Sequence, residues 1–172
     1  AEAYTGVPYD SEVTLLFSEI DPVLHEAVAT GVFGTSNPVP STGLPMTSTM
    51  DYNPKYFLVN GQPHSAVAAA IPAGLSGTNI LLRFLNAGLK TRVPLLQGAY
   101  MTMLAEDGNP YPFTREQYSI DLAAGKTMDA IVLSAPAGTL PIYDRRLALS
   151  NAGASPGGML VNLAVAPDLI ND

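Results

Sequence analysis

The chain has 172 residues, 47% of them hydrophobic and only 13% charged, with a formal net charge of −7. Disordered chains have the opposite balance, and eight Lys and Arg leave no basic patch for the phosphates of nucleic acid. Cysteine is absent, which excludes disulfides, thiolate nucleophiles and every cysteine-ligated metal site together.

Fifteen Gly and fifteen Pro, spread along the sequence, indicate many turns and therefore β architecture. The chain opens at Ala1-Glu2-Ala3 and closes near Ala166-Pro167-Asp168, and both ends read as cuts through linkers. The expectation is a processed protein or an excised domain, with residues 1–166 as one domain and 167–172 as linker or tail. Glu12–Phe17 is rich in β-formers and reads as a buried strand. Asp21 then serves as an N-cap, with Pro22 at the first helical position and Gly31 at the end. Val23, Leu24, Ala27 and Val28 would share one face of this short helix near residues 22–30. Residues 32–51 show no period and form a long loop, either functional, packed on a neighbour or mobile. The uncharged stretch from Ala27 to Met50 carries Pro38, Pro40 and Pro45, so it is no membrane helix.

From Lys55 onward the punctuation is regular. Asn60-Gly61 and Asp107-Gly108 are tight-turn pairs. "AVAAAIPAG" reads as a strand entering a Pro72-Ala73-Gly74 turn, and "NILLRFLNAG" as the next strand. "LLQGAYMTMLAEDGNPYP" holds one or two strands, and "YSIDLAAGKTMDAIVLSA" reads as a hairpin around Ala124-Gly125. "GTLPIYDRR" and "GMLVNLAV" supply the last two strands. Short strands between Gly and Pro turns predict an all-β antiparallel Greek-key sandwich or barrel.

Residues suited to chemistry do not converge. His25 and His64 are the two histidines, and neither lies in a metal-binding spacing. Met101 and Met103 would share one strand face and read as core. "GLSG" at 74–77 is one residue short of a nucleophile elbow. A triad assembled in space around His25 or His64 would make a hydrolase, but no motif marks one. Glu106, Asp107, Asp121, Asp129 and Asp144 fall at turns and strand positions and show no acid–base pairing. No phosphate-binding glycine loop is present.

The order of the segments is more informative than any one residue. Asn60-Gly61, Arg83 with Leu85-Asn86-Ala87, Asp107-Gly108 with Pro110 and Pro112, and Leu122, Gly125 and Asp129 together resemble the middle cupredoxin-like domain of multicopper oxidases. The resemblance covers about residues 52–146, and "YDSEVTLLFSEIDP" looks like the entry to that domain. It implies a parent enzyme that couples substrate oxidation to reduction of O₂, with copper in flanking cupredoxin domains and an extracytoplasmic location. It also implies that this chain is a scaffold without copper. Where a terminal copper domain would carry H-x-x-H after "LNAG", the sequence reads "LKTRVPLLQG". No catalytic, cofactor-binding or metal-binding residue is therefore assigned. The partners implied are the flanking domains, with neither nucleic acid nor membrane insertion.

Two further expectations follow from the residues. Arg83 needs an acidic partner in its apolar strand, and Asp129, on a strand after the Gly125 turn, is suited to it. The alternative function, a free-standing secreted sandwich that binds a ligand or partner, would use a pocket lined by Tyr52, Tyr56, Tyr111 and Tyr118.

Overall fold

The computed structural model describes residues 1–168, so Leu169–Asp172 of the expected tail lie outside the described residues. Among the described residues twelve strands and one α-helix follow in order: β1 (Glu2–Tyr4), β2 (Val7–Pro8), β3 (Ser11–Ile20), α1 (Pro22–Ala29), β4 (Tyr56–Val59), β5 (Ile71–Leu75) and β6 (Ile80–Asn86). They continue with β7 (Pro94–Leu96), β8 (Met101–Glu106), β9 (Asn109–Gln117), β10 (Thr127–Val132), β11 (Gly138–Asp144) and β12 (Leu160–Ala166). A six-stranded sheet, β4-β3-β6-β10-β8-β9, packs against a four-stranded sheet, β5-β12-β11-β7. β1 and β2 form a small separate ribbon.

The main core is built by period-two alternation. On β3, Val13, Leu15 and Phe17 point inward while Leu16 is 37% exposed. They join Leu82 and Phe84 of β6, Met101 and Met103 of β8, and Leu140, Ile142, Leu163 and Val165 from the opposite sheet. β6 is buried on both faces at its start, Ile80–Leu82, and alternates from there to Asn86. Its outward Leu81 joins Leu104, Ala105 and Ile131 in a second cluster roofed by Ala3, Tyr4, Val7 and Tyr9 of the N-terminal ribbon. A strand covered on both faces reads as a continuous apolar run, which accounts for "ILL".

Four sequence expectations change. The sandwich is not wholly antiparallel: β3 pairs parallel with β6, and β5 with β12. Parallel neighbours need a long crossover, and the segment from α1 through β5 supplies it between β3 and β6. Pro72-Ala73-Gly74 lies inside β5 and the turn falls later, at Gly77; β5 is an edge strand, where proline is tolerated. No hairpin forms around Ala124-Gly125. Leu122 and Ser119 instead bridge to Arg92 and Leu95, whereas β10 pairs with β6 and β8. Finally, Val28 leaves the helix's buried face and is 60% exposed.

The turn pairs behave as read. Asn60-Gly61 and Asp107-Gly108 both have two consecutive positive φ values, 51° and 75°, and 49° and 75°. That is the conformation whose twist suits a tight hairpin. Asp21 caps α1, its Oδ1 accepting from Val23 N at 2.9 Å, and its Oδ2 accepts from Asn53 N at 2.7 Å. The 32–51 loop is anchored on the helix: Val39 and Met46 are buried with Ala27, against Val23, Leu24 and Val32.

Candidate functional site

The side chains most densely organised for electrostatics lie at the end of β3, where the inward row Val13, Leu15, Phe17 continues to Glu19. A carboxylate thus stands where the period places a core residue, and its side chain is wholly buried. Arg92, just before β7, donates to it through Nε at 2.9 Å and also through Nη2. The same guanidinium reaches Asp144 Oδ2, at the end of β11, through Nη1 at 3.3 Å. Arg92 and Asp144 side chains are 5% and 0% exposed. Phe57 of β4 lies under the guanidinium, 5.0 Å from ring centre to Cζ.

The second oxygens of both carboxylates hold the backbone. Glu19 Oε1 accepts from Leu89 N and Lys90 N at 3.0 and 2.9 Å. Asp144 Oδ1 accepts from Val93 N and Arg146 N at 3.0 and 3.2 Å. Asn86 finishes the loop, accepting from Gly88 N at 2.9 Å and donating to Lys90 O and Leu122 O at 2.9 and 3.0 Å. Gly88 is required by closeness: an added Cβ would stand 2.5 Å from Glu19 Oε2. Among the described residues no buried side-chain nitrogen or oxygen lacks a partner. This clasp ties the six-stranded sheet to the four-stranded one, and its chemistry is cohesive: every charge is paired and dry. The tyrosine beside it, Tyr52, has its pKa raised by burial first and then by the charge of Glu19.

Arg83 and Asp129 pair as the sequence suggests, with Nη1 to Oδ2 at 2.8 Å across the register of β6 and β10. The pair faces outward rather than into the core, and the Arg83 side chain is 33% exposed. Arg83 Nε also reaches Glu12 Oε1 at 2.7 Å, and Tyr4 Oη donates to Asp129 Oδ2 at 2.6 Å. Burial lowers the pKa of Arg83, but the bond to Glu12 and the charges of Asp129 and Glu12 outweigh it and raise the value. Tyr4 is pushed up to about 12, chiefly by burial, then by its bond to Asp129.

The remaining candidates stay apart. His25 Nδ1 contacts Asp21 O at 2.8 Å, and neither histidine ring bonds a serine or carboxylate side chain among the described residues. Met101 and Met103 are core, 0% and 1% exposed. Glu106 and Asp107 hold Lys126 at 3.0 and 2.6 Å, which lowers both carboxyl pKa values and raises that of the lysine. Asp121 is exposed. Among the described residues no three His, Cys, Asp or Glu are grouped to hold a metal. The four tyrosines do not build one pocket: Tyr56 is on β4 and Tyr111 on β9, at opposite edges of one sheet. Tyr52 lies under Lys90, and Tyr118 packs on Tyr100.

No family model and no curated protein matches the chain. Solved structures do. A blue copper oxidase from Nitrosomonas europaea superposes with a TM-score of 0.67 at 17% identity, over 90% of this chain and 43% of that one. The fold is cupredoxin-like. A multicopper oxidase from Campylobacter jejuni, a metallo-oxidase, aligns at TM-score 0.64 and 12% identity, over 94% of this chain and 31% of that one. A laccase from Botrytis aclada aligns at 0.61 and 17%, over 91% and 29%. The chain therefore spans less than half the length of these structures and has the cupredoxin-like architecture of one multicopper oxidase domain. No sequence motif marks the Glu19–Arg92–Asp144 clasp. Its one legible sign was Glu19 continuing the inward row of β3.

Proposed function

We propose that this chain is the copper-free middle domain of a multicopper oxidase, a scaffold that spaces two copper-bearing cupredoxin domains. The parent enzyme couples one-electron oxidation of substrate to reduction of O₂ outside the cytoplasm. One observation carries this reading. In the loop after β6, where the family resemblance places histidine ligands, the two convergent carboxylates already hold an internal cation, Arg92. Such a loop supports geometry rather than ligand exchange. The 31% and 29% shares of two of these oxidases agree with one domain of three.

The test is the coding frame around Ala1 and Asp172. The expected result is further cupredoxin-like sequence on both sides, with H-x-H pairs and an H-C-H segment. A frame that starts just before Ala1 and stops just after Asp172 overturns the proposal. In a copper titration, the isolated chain should develop no blue absorption, while the full frame should.

A further inference from the structure

A hollow of about 400 Å³ lies at the open seam of the sandwich, between the β4–β5 connection and β12. The seam is where β4 ends one sheet and β5 ends the other. Val59 and Ile71 contribute to its apolar wall, while Gln62, His64, Ser65 and Asn162 present polar groups to it. None of these four side chains makes a hydrogen bond with another described residue. His64, Ser65 and Asn162 are half-buried, so their polar groups are not engaged by the protein and stay open to water or to a ligand in one shared space. The connection itself is held in place: His64 N donates to Gly158 O at 2.9 Å, Gln62 N to Val59 O at 3.0 Å, and Ala68 N to Ser65 O at 3.0 Å.

We propose that this hollow is a binding site for a small neutral ring compound bearing a group that both donates and accepts hydrogen bonds, a carboxamide being the simplest. Size fits, since small-molecule sites run from about 300 to 1,000 Å³ and combine apolar walls with a few placed polar groups. The preference for a neutral ligand follows from the lining, which contains no Asp, Glu, Lys or Arg. A carboxylate would meet no lysine or arginine there, on a chain of net charge −7. The donor–acceptor preference follows from Gln62 and Asn162, whose amides each offer both functions. The site is separate from the buried arginine clasp and does not rest on the oxidase reading.

Benzamide is the probe, titrated into the ¹⁵N-labelled chain and followed by amide shifts, with benzoate and toluene as comparators. Saturable shifts should cluster at the Gln62 and Asn162 side-chain amides and along the His64 segment. Benzoate and toluene should bind about tenfold more weakly, and Asn162→Leu should weaken benzamide by about fivefold to tenfold. Gln62→Leu, at an exposed loop position, gives the same test without disturbing a strand. Equal binding of benzamide and benzoate, shifts scattered outside the hollow, or benzamide affinity unchanged in both variants overturns the proposal. So does the absence of saturable binding in a chain whose spectrum shows it folded.

Discussion

Two arginines in this molecule each bridge two acids, and burial separates them. Arg83 joins Glu12 to Asp129 on the outer face of the six-stranded sheet, with a third of its side chain exposed. Arg92 joins Glu19 to Asp144 between the sheets, with nearly all of it buried. Both glutamates come from β3, seven positions apart, and the odd spacing sends one outward and one inward. The same pairing chemistry therefore has two consequences. Outside, Arg83 and Glu12 are each about a third exposed and water screens them, while Asp129, 12% exposed, has Tyr4 Oη as a second partner. Inside, each ion depends on the others, because a buried charge without its partner is strongly destabilising.

The sharpest way to break the contrast is Arg92→Leu. It strands Glu19 and Asp144 and should cost about 3–5 kcal/mol in denaturant unfolding. A cost near that of a surface substitution would place the guanidinium in water. The usual rescue, making all three residues apolar, should fail to restore stability here. The two carboxylates also accept four part-buried backbone N–H groups, from Leu89, Lys90, Val93 and Arg146, and an apolar triad removes these bonds at about 0.5–1.5 kcal/mol each. Gly88→Ala comes next, at about 1–3 kcal/mol, because the new methyl group displaces the Glu19 carboxylate from its partners. Arg83→Leu should cost less, about 1–2 kcal/mol, because Asp129 loses its cation but keeps Tyr4 Oη, and added salt should shrink the difference. A loss as large as that of Arg92→Leu would erase the distinction.

The smallest effect is in alkali. Tyr4 has a folded pKa raised to about 12, so the stability its phenol contributes is complete below the unfolded value of about 10. It is lost as pH rises through about 12. Tyrosinate absorbance should show Tyr4 and Tyr52 ionising late, and Tyr4→Phe should take one tyrosine out of that late step. Ionisation of Tyr4 near the unfolded value would mean that the ribbon does not shelter it.

Local rules made much of this architecture legible. Asn60-Gly61 and Asp107-Gly108 marked turns because both positions of such a turn require positive φ, and Asp21-Pro22 marked the helix start. Arg83 called for an acidic partner because its strand is otherwise apolar, and Asp129 stands directly opposite it on β10. What stayed hidden depends on contacts across the sandwich. Glu19, Arg92 and Asp144 are far apart in sequence, and "LKTRVP" drew notice for the histidines it lacks rather than the arginine it holds. The Ala124-Gly125 turn was misread because a turn signal does not say which sheet receives each limb. The 32–51 loop lacked a period because scattered anchors, Val39 and Met46, hold it in place of a regular face.

The clasp also constrains the routes by which this sequence can change. Its three ions sit on β3, before β7 and at the end of β11, so no single substitution can exchange the loop's chemistry without first passing through a stranded buried charge. Turning the 87–92 loop into something else requires coordinated changes at positions 19, 92 and 144, with glycine retained at 88 until Glu19 has gone. The loop is thus isolated from stepwise evolutionary drift, and descendants of this chain should keep all three ions or lose them together.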